Sequence, residues 1–102
     1  MTSVRFTVSA DIQRRHAIEW WLEHRPSNPL LLVEEIKSAC ELLCNAPHAG
    51  LRLAKAPGVR RYLLRHTRYH LYYTVESETE IVIHALWHAQ KRRGPPLHIL
   101  SR

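Results

Sequence analysis

Arginine and histidine recur through the second half of this chain, in Gly58-Val59-Arg60-Arg61, Arg68-Tyr69-His70 and Ala85-Leu86-Trp87-His88, and a Lys91-Arg92-Arg93 cluster follows. Guanidinium groups make bidentate contacts with carboxylates and phosphates. A histidine titrates close to neutrality and can carry a proton or touch a phosphate. The chemistry within reach is recognition of something anionic or acidic, with His88 able to add proton transfer. Arg60, Arg61, Arg65, Tyr72, His88, Lys91, Arg92 and Arg93 are the residues on which that recognition would rest.

Alternation along a strand separates Arg60, Tyr62 and Leu64 from Val59, Arg61, Leu63 and Arg65. Only one of the two adjacent arginines therefore reaches the open face, and this short run does not say which. Tyr72 is expected outside with His70, free to stack on a base or a partner. Lys91-Arg92-Arg93 follows the last strand directly and is stiffened by Gly94-Pro95-Pro96. His84 and His88 lie four strand residues apart, about 13 Å, too far to share one metal ion. No metal and no cofactor are expected. Cys40 and Cys44 read as two small buried apolar residues on one helix face, in a compartment that keeps thiols reduced.

The elements that must position these side chains follow from periodicity. Val4 to Val8 alternates and predicts a short strand. Ser9 stands as the expected N-cap of a helix over residues 10–24, with Ile12, Ala17 and Trp20 or Trp21 turned inward and His16 in the same stripe. Asn28 and Pro29 are the expected cap and first position of a second helix. Its inner face is Leu32, Val33, Ile36, Ala39, Cys40 and Leu43, and Pro47 and Gly50 end it. A loop over residues 48–57 leads to a strand from Val59 to Arg65. A turn at His66-Thr67 precedes a strand from Arg68 to Val75, with Tyr69, Leu71, Tyr73 and Val75 on one side. A turn at Glu76-Ser77-Glu78-Thr79 leads to a last strand from Ile81 to His88. Ile81, Ile83, Ala85 and Trp87 are expected to face the helices, and Val82, His84, Leu86 and His88 the other way. The predicted class is α+β in the order β-α-α-β-β-β: a helical hairpin packed on one face of a small, mostly antiparallel sheet.

At 102 residues the chain is expected to form one domain with a single core. No apolar run is long enough to span a membrane, and the N-terminus lacks the apolar stretch of a signal peptide, so a cytoplasmic location is expected. The net charge is +6. Residues 1–50 hold five Lys/Arg against six acids, or −1, whereas residues 51–102 hold ten against three, or +7. The basic excess lies wholly in the strand-forming half. That asymmetry points to nucleic acid or an acidic protein surface as partner.

Taken in order, these features resemble the RelE/ParE superfamily of bacterial type II toxins, and the ParE branch most. The residues carrying the resemblance are Pro47-x-x-Gly50, Gly58-Val59-Arg60-Arg61, Arg68-Tyr69-His70-Leu71-Tyr72-Tyr73 and Ala85-Leu86-Trp87-His88 with Arg92-Arg93-Gly94-Pro95-Pro96. The resemblance runs from Val4 to Leu97. It implies a toxin held inactive by a cognate, ParD-like antitoxin in a hetero-oligomer that meets operator DNA only through the antitoxin. In the ParE branch it further implies DNA gyrase as target and no catalysis. In the RelE branch it implies ribosome-dependent mRNA cleavage, for which Arg61 and His88 are the catalytic candidates. Such cleavage needs a base, a cation on the phosphate and an acid for the leaving oxygen. The segment after the last strand, AQKRRGPPLHILSR, has no Tyr and no acid, and His98 is its one acid–base residue besides the neighbouring His88. A non-toxic antitoxin-binding or co-repressor module, and a general nucleic-acid binder, are the remaining readings. Leu64, Val82 and Leu86 are expected to leave apolar surface on or near the non-helical face for an antitoxin segment, unless Leu97, Ile99 and Leu100 of the chain's own tail close it.

Overall fold

A computed structural model of the chain describes residues 2–91 and 93–100. Strand β1 (Ser3–Phe6) leads into helix α1 (Val8–His24), and helix α2 (Leu31–Asn45) folds back beside it. Strands β2 (Leu51–Arg52), β3 (Val59–Leu64), β4 (Tyr69–Ser77) and β5 (Glu80–His88) follow, and a short 3₁₀ turn (Leu97–Ile99) is the last element among the described residues. The sheet order is β1-β5-β4-β3-β2, with β1 parallel to β5 and every other pair antiparallel. The expected α+β arrangement is present, with a two-residue strand β2 inside the predicted loop.

Both helix starts differ from the sequence reading, for backbone reasons. The Thr7 N–H donates to Ile83 O (3.0 Å), which ends the parallel pairing there, and the Thr7 hydroxyl caps α1 by accepting from Ala10 N (3.1 Å). Ser9 therefore lies inside the first turn. Asn28 does not cap α2, since Leu30 stands at the N-cap position; the Asn28 carbonyl accepts the Trp21 indole N–H (2.9 Å) and Leu31 N–H (3.3 Å). The helix begins two residues later than Pro29, at Leu31.

The helices bury Ala10, Ala17, Trp21, Leu32, Ile36, Ala39 and Leu43 against Leu64, Leu71, Tyr73, Ile81, Ile83 and Leu86 of the sheet. Trp21 is thus the core tryptophan, whereas Trp20, Ile12 and Val33 are exposed and His16 lies at the surface. A second, smaller cluster lies on the opposite face, where Val59, Tyr72 and Ala85 pack under Leu100, with Trp87 and Ile99 at its margin. The face expected to stand open is therefore roofed by the chain's own tail. Leu64 and Leu86 belong to the helical core, and Val82 is also buried, so none of the three offers the uncovered surface expected of it.

A β-bulge explains most of that change. Tyr72 pairs with Ala85, but Tyr73 pairs with Ile83, so His84 is an extra residue in β5. Beyond it the alternation reverses: Leu86 turns to the helices, and Ala85 and Trp87 to the tail. His84 itself is buried beside the Thr74 hydroxyl, 2.9 Å from its Nε2.

Candidate functional site

The loop that opens the second half is pinned before any functional side chain is set. The Tyr73 hydroxyl donates to Pro47 O and accepts from Gly50 N, both at 2.8 Å. A Cβ on Gly50 would come within 2.8 Å of the Tyr73 ring, so the Pro47–Gly50 spacing encodes a seat for that phenol. Arg60 joins the same lock. Its guanidinium donates to Gly50 O (2.9 Å) and His48 O (3.2 Å). Arg60 is therefore spent on the loop, and Arg61 turns to the other face of the sheet.

There Arg61 lines a groove of about 570 Å³ between the loop before β3 and the C-terminal tail. Lys55 and Arg93 are the other charged residues lining it, Leu53 and Leu97 supply apolar wall, and no acid lines it among the described residues. Tyr72 is at the base of this groove, buried at 5% exposure, rather than outside as expected. The returning tail covers it.

His70 is held on the same sheet face, two pairs along from Arg61, edge-on to the Tyr72 ring at 6.0 Å. Burial, and then the positive charges of Arg61, Arg68 and His88, push its pKa down to about 4, so it is neutral at physiological pH. Sequence reasoning passed over His70 as a site residue, although its place in the Arg68-to-Val75 strand next to Tyr72 was the available signal.

His88 is on the other side. The reversed alternation turns it toward α1, where its ring meets Tyr69 edge-on at 4.9 Å. Its Nδ1 accepts from Gln90 N (3.2 Å), which leaves the proton of the neutral ring on Nε2. Burial, Lys91 and Arg68 lower its pKa. Arg61 and His88, the two catalytic candidates, therefore flank opposite faces of the sheet and share no substrate pocket.

The remaining predicted residues divide between three places. Arg65 is exposed in the β3–β4 turn and borders a groove beside α2. The Lys91 ammonium sits 4.5 Å over the Trp87 ring, whose indole N–H donates to Arg93 O at 2.7 Å. Trp87, expected in the core, is instead the half-buried post on which the basic segment rests. Arg92 lies outside the described residues. Among the described residues no group of three or more His, Cys, Asp or Glu is placed to hold a metal ion.

No helix among the described residues is long and apolar enough to cross a membrane. No curated protein matches this sequence significantly. Among solved structures, a chain of the chromosomal ParDE toxin–antitoxin system from P. aeruginosa superposes with a TM-score of 0.72 at 22% identity, over 88% of this chain and 98% of its own. That likeness establishes the fold. Residues 4–93 match the family described as the ParE toxin of the type II toxin–antitoxin system parDE. The chain belongs to the ParE toxin family.

Proposed function

We propose that this toxin acts in the cytoplasm as one folded unit, by binding DNA gyrase through the Lys55–Arg61–Arg93 groove and the adjoining Lys91–Trp87 post. It performs no covalent chemistry. The observation that carries this reading is the separation of Arg61 from His88 by the thickness of the sheet. A phosphate clamp and a proton carrier on opposite faces cannot act on one scissile bond. An acid-free groove with three cations suits recognition of carboxylates or phosphates instead. A cognate antitoxin holds the toxin inactive in a hetero-oligomer, and operator DNA is met only through that antitoxin.

Inducible expression tests the target. Gyrase-linked DNA breaks with translation continuing support the reading, and a halt in translation with intact DNA overturns it. One observation favours a second reading, mRNA cleavage of the RelE type: neutral His70 stands on the Arg61 face with its base form available. Cutting of ribosome-bound message by the purified chain, lost in His70→Ala, would establish that alternative.

A further inference from the structure

Helix α1 is apolar on two sides, and the core uses one of them. Its inner side gives Ala10, Ala17 and Trp21 to the core. On its outer side Val8, Ile12, Arg15, Glu19 and Leu22 follow one another at alternating spacings of four and three residues, and each of them is exposed. That is the spacing of a coiled-coil seam, which keeps one stripe of a helix turned toward a neighbouring helix. Val8 leaves 80% of its surface in solvent, Ile12 49% and Leu22 46%, so no described element covers the stripe.

The charges in the stripe select the partner, because read in reverse it complements itself. When two copies of α1 pack antiparallel, this spacing places Ile12 against Leu22 of the second copy and Arg15 against its Glu19. The twofold axis then repeats both pairs. On one flank the same register brings Asp11 toward Arg25 of the second copy. A parallel pair would instead set Arg15 on Arg15 and Glu19 on Glu19, which like-charge repulsion opposes.

The side chains suit such a pairing. Asp11 binds Arg14 as well as Arg15 (3.1 Å), so it keeps a cation when Arg15 turns to the second copy. The Arg15 side chain is 72% exposed and free to turn. Residues 1–50 carry a net charge of −1 against +7 for the remainder, so two chains can meet helix to helix with their cationic strands held apart.

We propose that the outer face of α1 is a homodimer interface, formed with a second copy of this chain in antiparallel, twofold-symmetric register. One helix seam is a small interface, so the pair exchanges with monomer. The Arg61 groove lies on the sheet face away from the helices, so each copy keeps it open and the pair presents two target-binding faces. This inference stands apart from the identity of the target.

Sedimentation velocity of the purified full chain, from about 1 μM to about 500 μM, tests it. The expected result is a shift from monomer to dimer as concentration rises. Arg15→Glu and Glu19→Arg each replace two attractive pairs by two repulsive ones, and each should weaken the dimer about tenfold or more with melting temperature unchanged. The double variant Arg15→Glu/Glu19→Arg restores the pairing and should dimerise like the wild type. An equimolar mixture of the two single variants should form a heterodimer. A monomer at every concentration overturns the inference, and so does a dimer indifferent to both reversals. Loss of the dimer in the single variants without recovery in the double variant overturns the antiparallel register and the inference with it.

Discussion

At the scale of single residues, two arginines adjacent in sequence do unrelated work, and the division is set by where their neighbours end. Arg60 and Tyr73 close the Pro47–Gly50 loop through partly buried hydrogen bonds, whereas Arg61 is left to the surface groove. Tyr73→Phe removes one donor and one acceptor, leaving Gly50 N–H and Pro47 C=O without the phenol, and should cost about 1–3 kcal/mol in urea unfolding. Arg61→Glu should change stability by no more than about 0.5 kcal/mol. His70 adds a pH effect with a defined sign. Its pKa is depressed in the folded state to about 4 from an ordinary value near 6.5. The stability it confers is whole above the ordinary value and drains as pH falls toward 4. Melting temperature measured across that interval should fall less steeply in His70→Phe. Neither the Arg60/Arg61 choice nor the burial of Tyr72 was legible in the sequence. Both depend on segments that return from elsewhere in the chain: the Pro47–Gly50 loop and the tail.

Elements rather than single residues fix how the hairpin is docked on the sheet. The Glu35 carboxylate of α2 accepts from His66 N (2.8 Å), His66 Nδ1 (3.0 Å), Thr67 N (2.9 Å) and the Thr67 hydroxyl (2.6 Å), which ties the β3–β4 turn to the helix. The turn takes its positive φ at Arg68 (67°), so His66 and Thr67 are spared the left-handed conformation they disfavour. Burial works against the charge on Glu35, but the hydrogen bonds from Thr67 and His66 outweigh it and hold the pKa below the usual carboxylate range. The stability this carboxylate confers is therefore full above that range and is lost as pH falls through the depressed value. Thermal melts from neutral pH into acid should show that loss in the wild type. Glu35→Gln should start less stable at pH 7 and fall less steeply. The helical hairpin and the strand order were legible because their periods are clean. The facing of Leu86, Trp87 and His88 was not, since IVIHALWH alternates well enough to hide one inserted residue.

For the whole molecule, the basic half of the chain folds into a sheet whose second face is closed by Leu100 and Ile99, so the surface left for partners lies in grooves at its rim. Leu100→Ala removes the roof over Val59, Tyr72 and Ala85. It should cost about 2–5 kcal/mol in denaturant unfolding and open the Arg61 groove to water. The charge asymmetry of +7 against −1 placed the basic residues in the strand-forming half, but not their division between two sides of the sheet. The central claim, target binding without catalysis, is tested most directly by supercoiling with purified gyrase. Wild-type chain and His88→Ala should inhibit equally, and Arg61→Glu should fail to inhibit while remaining folded. Full inhibition by Arg61→Glu, or undisturbed supercoiling in the presence of wild-type chain, would contradict it.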